Sequence, residues 1–270
     1  MKKIFQIYYD DETYSKILPG FIPLDNSENA RPDWFEFWVI LNYLRKNSLD
    51  EGVWYGFLSP KFREKTGLDS KTIYESLDRC VDGCEVFLFS PGWDQLSYFL
   101  NPFEQGDLWH PGLKKATQIF LDHIGLSINL STLVTDSHTS VFSNYIIAKK
   151  NYWDRWKILA ELFFEFVEKN VSFQFATTYG CASNYAPMKT FIQERLATLI
   201  LSQGGITAAT LETGFSGRLF TRLFVDDSRT RKLLLTCDLM KRFYRETSEA
   251  KYLEMYWEVR SHIILKSPNS

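Results

Sequence analysis

Two stretches of this chain concentrate side chains able to do chemistry. Ser90-Pro91-Gly92-Trp93-Asp94-Gln95 follows directly on the apolar run Glu85–Phe89, and Asn101 to Gly112 crowds Glu104, Asp107, Trp109 and His110 together soon after. Carboxylates and an imidazole in so short a space can move a proton or hold a metal, so Asp94, Glu104 and His110 are candidates for base or metal roles. An ordered loop in which Asp94 and Asn101 only cap helices accounts for the same residues. Asp136 and His138 stand two apart, a spacing compatible with metal ligation, which puts His138 beside Asp94 as a metal candidate. Isolated His–Asp pairs are more often structural.

Other candidates follow apolar runs. Lys3 to Tyr9 reads as a first strand and ends in Asp10-Asp11-Glu12. Ligands of open α/β sheets collect beyond the carboxyl ends of strands, so Tyr8, Tyr9 and Asp10 stand where a base and ribose could sit. An acidic helix cap at Asp10 or Asp11 is the equal alternative. Val53 to Leu58 is a second strand, followed by Ser59, Lys61 and Lys65. This basic, hydroxyl-bearing loop suits a diphosphate contact, but it lacks the glycines of a phosphate-binding Gly-Lys-Ser/Thr loop. Arg31, just before a helix opened by Pro32 and Asp33, offers a planar fork for phosphate or is an ordinary surface arginine.

The elements that must position these groups are legible in outline. Val141 to Ala148 reads as a buried strand broken by the polar pair Ser143-Asn144, with Tyr145 beside it. Trp153, Trp156, Leu159, Leu162, Phe163 and Phe166 then recur at helical spacing. Helices are expected from Asp69 or Ser70 to about Cys80, from Leu113 to Ile124, and from Pro187 to Gln203, where Glu194-Arg195 interrupts the buried face. A short strand is expected at Ser131–Thr135. Val171 to Tyr185 is polar and irregular, in keeping with a mobile loop or lid. Two charged helices, about Asp227–Thr247 and Ser248–Leu265, close the chain.

The totals narrow the class. The chain has 270 residues, 45% hydrophobic and 16% aromatic, enough to bury a full core. Tyrosine and tryptophan beyond the needs of a core suit a site that packs flat rings or sugar faces. A net charge of −2 gives no basic field for nucleic acid. The cysteines Cys80, Cys84, Cys181 and Cys237 fit no standard zinc spacing and read as free thiols in a reducing compartment. Met1 to Phe5 is not a signal peptide, and no window is apolar enough to span a bilayer. A cytoplasmic protein is expected, with peripheral contact at the inner face of the membrane left open.

Four pieces in order carry a resemblance: IFQIYYDDE with DNSENARPDWFEFW, WYGFLSPKF, SPGWDQ with NPFEQGDLWHPG, and SNYIIAKKNYW followed by FIQERL. Together they resemble bacterial polysaccharide glycosyltransferase domains with a GT-A-like fold, of the O-antigen and capsule kind, galactosyltransferase domains included. The resemblance runs over most of residues 4 to 203. It implies an α/β, Rossmann-like mixed sheet flanked by helices, with residues 1–205 as a nucleotide-sugar-binding catalytic domain and 206–270 as a helical appendage. It implies transfer of a sugar from a nucleotide diphosphate donor, UDP-sugar favoured, to a saccharide or lipid-linked acceptor of a growing surface polysaccharide. The chain could be one domain of a larger polymerase. In that frame Tyr8, Tyr9 and Asp10 hold base and ribose, and Arg31, Ser59, Lys61 and Lys65 face the diphosphate. Trp93, Trp109, Asn144 and Tyr145 pack on sugars. Glu194 hydrogen-bonds a donor-sugar hydroxyl or joins Asp94, Glu104 and His110 in catalysis. Such enzymes usually carry an Asp-x-Asp metal motif where this chain has only Asp94, which leaves Mn or Mg dependence doubtful. A non-catalytic nucleotide- or carbohydrate-binding domain, or an interaction module, is the alternative.

Overall fold

The computed structural model describes residues 1–80, 83–90, 92–170, 176–178, 185–211, 219 and 221–266. In chain order the strands are β1 (Lys2–Tyr8), β2 (Ile22–Asp25), β3 (Trp54–Leu58), β4 (Val86–Leu88), β5 (Ile146–Ala148), β6 (Ala176–Thr178), β7 (Tyr185–Pro187) and β8 (Ala208–Thr210). The helices are α1 (Asp11–Ser15), α2 (Phe35–Lys46), α3 (Phe62–Thr66), α4 (Ser70–Asp78), α5 (Trp93–Tyr98) and α6 (Pro102–Trp109), then α7 (Leu113–His123), α8 (Lys150–Lys169), α9 (Met188–Gln193), α10 (Leu196–Ser202), α11 (Ser228–Thr247) and α12 (Ala250–Ser261).

The chain folds as two compact units. The first comprises Met1–Ser90 and Val141–Leu211, the second Pro91–Ser140 and Glu212–Ser270. The expected division near residue 205 cuts the chain once. The observed grouping takes residues 91–140 out of the first unit and joins them to the C-terminal helices.

Unit 1 is a mixed α/β sheet of Rossmann-like kind, in the order β2-β1-β3-β5-β4-β8. β2, β1 and β3 pair in parallel, as do β4 and β8, while β5 runs antiparallel to both β3 and β4. Strand alternation sends Ile4, Trp54, Leu58, Phe87 and Ile147 to one face, where they meet Leu18 from the segment after α1, Phe62 of α3, and Ile73 and Leu77 of α4. The other face carries Phe5 and Phe57 against Tyr43 of α2 and Trp153 of α8. Both faces are thus covered, which is why these strands read as unbroken apolar runs. Gly56 lies where two isoleucines cross the sheet. A Cβ there would stand 2.8 Å from Ile147 Cγ1 and 3.3 Å from Ile4 Cγ2.

Three expectations fail for local reasons. The strand beginning at Val141 is confined to Ile146–Ala148, because the Val141 backbone instead pairs with the Thr198 hydroxyl, at 2.8 Å through its N–H and 2.9 Å through its carbonyl. Ser131–Thr135 is a turn at Ser131-Thr132 followed by irregular chain, not a strand. The helix expected over Pro187–Gln203 breaks at Glu194-Arg195. There the Arg195 guanidinium takes the Phe191 carbonyl at 2.6 Å, and the Arg195 N–H moves to Ile192 O at 2.9 Å. The stretch expected as a lid holds the β6–β7 pair; the rest of it, residues 171–175 and 179–184, lies outside the described residues.

Unit 2 packs Tyr98, Phe99, Phe224, Leu234, Cys237, Met240 and Tyr256 into its own core. Polar anchors stitch it together. Lys241 is buried and donates to the carbonyls of Leu96 and Phe99, and the Tyr256 hydroxyl donates to Tyr98 O at 2.7 Å. Cys84 and Cys237 are free thiols; Cys181 lies outside the described residues.

Candidate functional site

Because β5 is antiparallel, its first residues lie at the same edge as the last residues of β1, β3, β4 and β8. Leu88 pairs with Ile146, and the Phe89 N–H donates to Tyr145 O at 2.9 Å. Tyr9, Ser59, Asn144, Tyr145 and Ser90 therefore share one rim of one sheet. The polar residues that follow these apolar runs thus lie along the same edge.

Seven side chains of unit 1 interact at this rim: Tyr9, Glu36, Ser59, Lys65, Tyr145, Glu194 and Arg195. Glu194, at the break between α9 and α10, is walled in by protein, although about a third of its side chain (32%) is open to solvent. Burial pushes its carboxyl up to about 7, against the lowering effect of Arg195 and Lys65; Glu36 adds to the rise. Arg195 is almost wholly buried, with Nη1 4.0 Å from the Glu194 carboxylate. The Tyr145 ring packs edge-on against Phe62 at 5.2 Å, its hydroxyl hydrogen-bonds Ser59, and it feels Glu36, Glu194 and Glu64. Burial raises the Tyr145 phenol well above its usual range, with those carboxylates adding to the effect. Tyr9 donates to Glu36, and burial with that carboxylate raises its phenol likewise. This cluster, termed the recess, thus offers one carboxyl poised near neutrality, a second carboxylate held by a phenol, two cations and two tyrosine rings. Close by in sequence, the side-chain oxygens Ser143 Oγ, Thr190 Oγ1 and Gln193 Oε1 are buried with no partner among the described residues. Buried polar atoms left this way are uncommon and tend to mark sites that a water or ligand completes.

Of the residues singled out from sequence, the recess brings together Tyr9, Ser59, Lys65, Tyr145 and Glu194. Arg195 and Glu36 were not assigned to it. Arg195 appeared only as an interruption of a helix face, and Glu36 was not singled out. The remaining candidates are placed otherwise. Tyr8 turns to the opposite face from Tyr9, donating to Asp25 and packing on Tyr14 at 5.0 Å. Asp10 caps α1, accepting the Thr13 N–H at 2.8 Å. Arg31 is no free phosphate fork: it is tied to Asp33 and Glu168, each at 2.9 Å, and stacks on Trp38 and Phe164. Lys61 is exposed at the start of α3. Asn144 is half-buried beside Tyr145.

Asp94, Glu104, His110, Trp93 and Trp109 belong to unit 2. Asp94 is fully buried and accepts the Thr221 N–H at 3.0 Å. Glu104 holds Arg260, at 2.7 and 3.3 Å, and the Leu100 N–H at 2.6 Å, so its carboxylate is committed to structure. His110 is buried at the end of α6, Trp93 packs on the unit 2 core, and Trp109 is exposed. Asn101 is the cap of α6, accepting from Phe103 and Glu104 N–H.

No donor set among the described residues fits Mn or Mg. Among the described residues no three of His, Cys, Asp and Glu converge as a metal donor set. His138 Nε2 stands 3.2 Å from the Arg242 guanidinium, and Asp136 is paired with Arg245 at 2.8 Å, cations that oppose a metal at that spot. No helix among the described residues is long and apolar enough to cross a membrane. Comparison with known protein families, characterised proteins and solved structures returns no match to this chain.

Proposed function

We propose that the chain is a glycosyltransferase that moves a hexose, galactose foremost, from a nucleotide diphosphate donor to a saccharide or lipid-linked acceptor of a bacterial surface polysaccharide. The recess takes the sugar, in a sheet of GT-A-like type. What supports this reading is Glu194: a carboxyl poised near neutrality at the carboxyl rim of an α/β sheet, walled by tyrosines. The acceptor hydroxyl oxygen attacks the anomeric carbon, the bond from that carbon to the diphosphate oxygen breaks, and Glu194 takes the hydroxyl proton. A carboxyl with this poise accepts a proton without being permanently charged. Lys65 and Arg195 meet the negative charge that grows on the departing nucleoside diphosphate. Tyr145 and Tyr9 give the sugar ring apolar faces with polar tips. No step passes through a metal ion.

The reading is tested by nucleotide release from a panel of UDP-, GDP- and CDP-sugars with oligosaccharide acceptors. Glu194→Gln should melt no lower than the wild type and lose about a hundredfold or more of the release rate. Equal rates in the two proteins, or no release from any donor by the wild type, contradict it.

A further inference from the structure

A hollow of about 620 Å³ opens on unit 1, between the segment that leaves α1 and the start of α3. One wall is held by an unusual strand residue. Gln6 is fully buried in β1, and its amide clamps the passing chain: Oε1 accepts the Leu18 N–H at 2.8 Å and Nε2 donates to Lys16 O at 3.3 Å. A buried glutamine satisfied on both sides fixes residues 16–18 over the sheet. Pro19 on this side and Pro60 on the other stiffen the lining, and Leu18 is buried at its base.

The charge in the hollow is lopsided. Lys16 and Arg63 line it against a single carboxylate, Glu64. The Arg63 guanidinium makes no hydrogen bond or ion pair among the described residues. Lys16 is bound at 2.6 Å to Glu12, but that pair is exposed on both sides and gives way readily to a better partner. A volume of this order is that of a small-ligand site. An apolar floor with two cations at its edge suits a molecule with a flat or apolar body and one phosphate.

We propose that this hollow binds a small organic phosphate, with the phosphate between Arg63 and Lys16 and the body against Pro19, Leu18 and Pro60. The sequence pattern puts a diphosphate contact at Ser59, Lys61 and Lys65 of the neighbouring loop but gives no role to Arg63 or Lys16, and the site stands without the proposed sugar transfer. Phenyl phosphate is the probe, titrated by calorimetry into the full chain and compared with inorganic phosphate and phenol. The wild type saturates below about 10 mM with phenyl phosphate and binds each fragment more weakly. Arg63→Gln, an exposed change that leaves the core alone, weakens binding about tenfold or more, and Lys16→Gln weakens it several-fold. Glu194→Gln leaves it unchanged, which separates this site from the recess. No saturation by the wild type, equal binding in Arg63→Gln, or loss in Glu194→Gln overturns the proposal.

Discussion

Glu194→Gln isolates the electrostatic cost of the recess. In the folded chain the Glu194 carboxyl stays protonated up to about 7, whereas free of the fold it ionises near 4.5. Between those two values the folded state holds a proton that the unfolded state has lost, so wild-type stability falls as pH rises through the window 4.5 to about 7. Below the window both states are protonated, and above it both are ionised, so the slope vanishes outside it. At about 1.4 kcal/mol per pH unit the full displacement corresponds to about 3 kcal/mol. Water reaches a third of the side chain, which brings the expected figure down to about 2 kcal/mol. Glutamine has the same shape and no proton to lose. Glu194→Gln should therefore match the wild type at acid pH and exceed it by about 2 kcal/mol in mildly alkaline buffer. Urea unfolding followed by tryptophan fluorescence across that range reads the difference directly. Parallel stability curves for the two proteins would refute the reasoning, since they would mean that Glu194 titrates as an ordinary surface carboxyl.

Three further outcomes follow from the packing. Gly56→Ala drives a methyl into Ile147 and Ile4, and should cost about 1–3 kcal/mol in urea unfolding with the fold retained by circular dichroism. Arg245→Leu strips the buried Asp136 carboxylate of its cation and should destabilise by about 3 kcal/mol at neutral pH. Asp136 is held below its ordinary value, burial being outweighed by Arg245 and Thr139, so wild-type stability from this group is present above the unfolded pKa and lost as pH falls through the folded one. The Arg245→Leu deficit should accordingly shrink toward acid pH, where a lone buried carboxyl takes up a proton. Gln6→Leu leaves the Lys16 carbonyl and Leu18 N–H without their side-chain partner and should cost about 1–3 kcal/mol in the same assay.

The sheet was legible where burial dominates. β1, β3 and β4 announce themselves as apolar runs because both sheet faces are covered, and α8 does so through its aromatic stripe. β2 escaped because Pro19-Gly20 and Pro23 signal a turn. It is an edge strand, where a proline's missing N–H costs no ladder bond. β8 is three small residues whose pairing with β4 is wholly non-local. The recess was half visible. Tyr9, Ser59 and Tyr145 follow or precede strands, which local pattern reveals. The bond from Tyr9 to Glu36 and the turn that presents Glu194 and Arg195 depend on tertiary contacts that no local period encodes. The loop at Ser90–Gln95 drew attention because it is rich in polar and aromatic groups. Asp94 and its neighbours nonetheless fold with the C-terminal helices, because the chain leaves unit 1 at Ser90 and returns at Val141.

The central claim is that the Glu194 recess receives the sugar of a nucleotide-sugar, and a structure of the chain with UDP-galactose bound tests it most directly. The account predicts the hexose between Tyr145 and Tyr9 with its anomeric carbon facing Glu194 and the diphosphate toward Lys65 and Arg195. A donor seated entirely within unit 2, or one whose sugar avoids the recess while transfer proceeds, would contradict it.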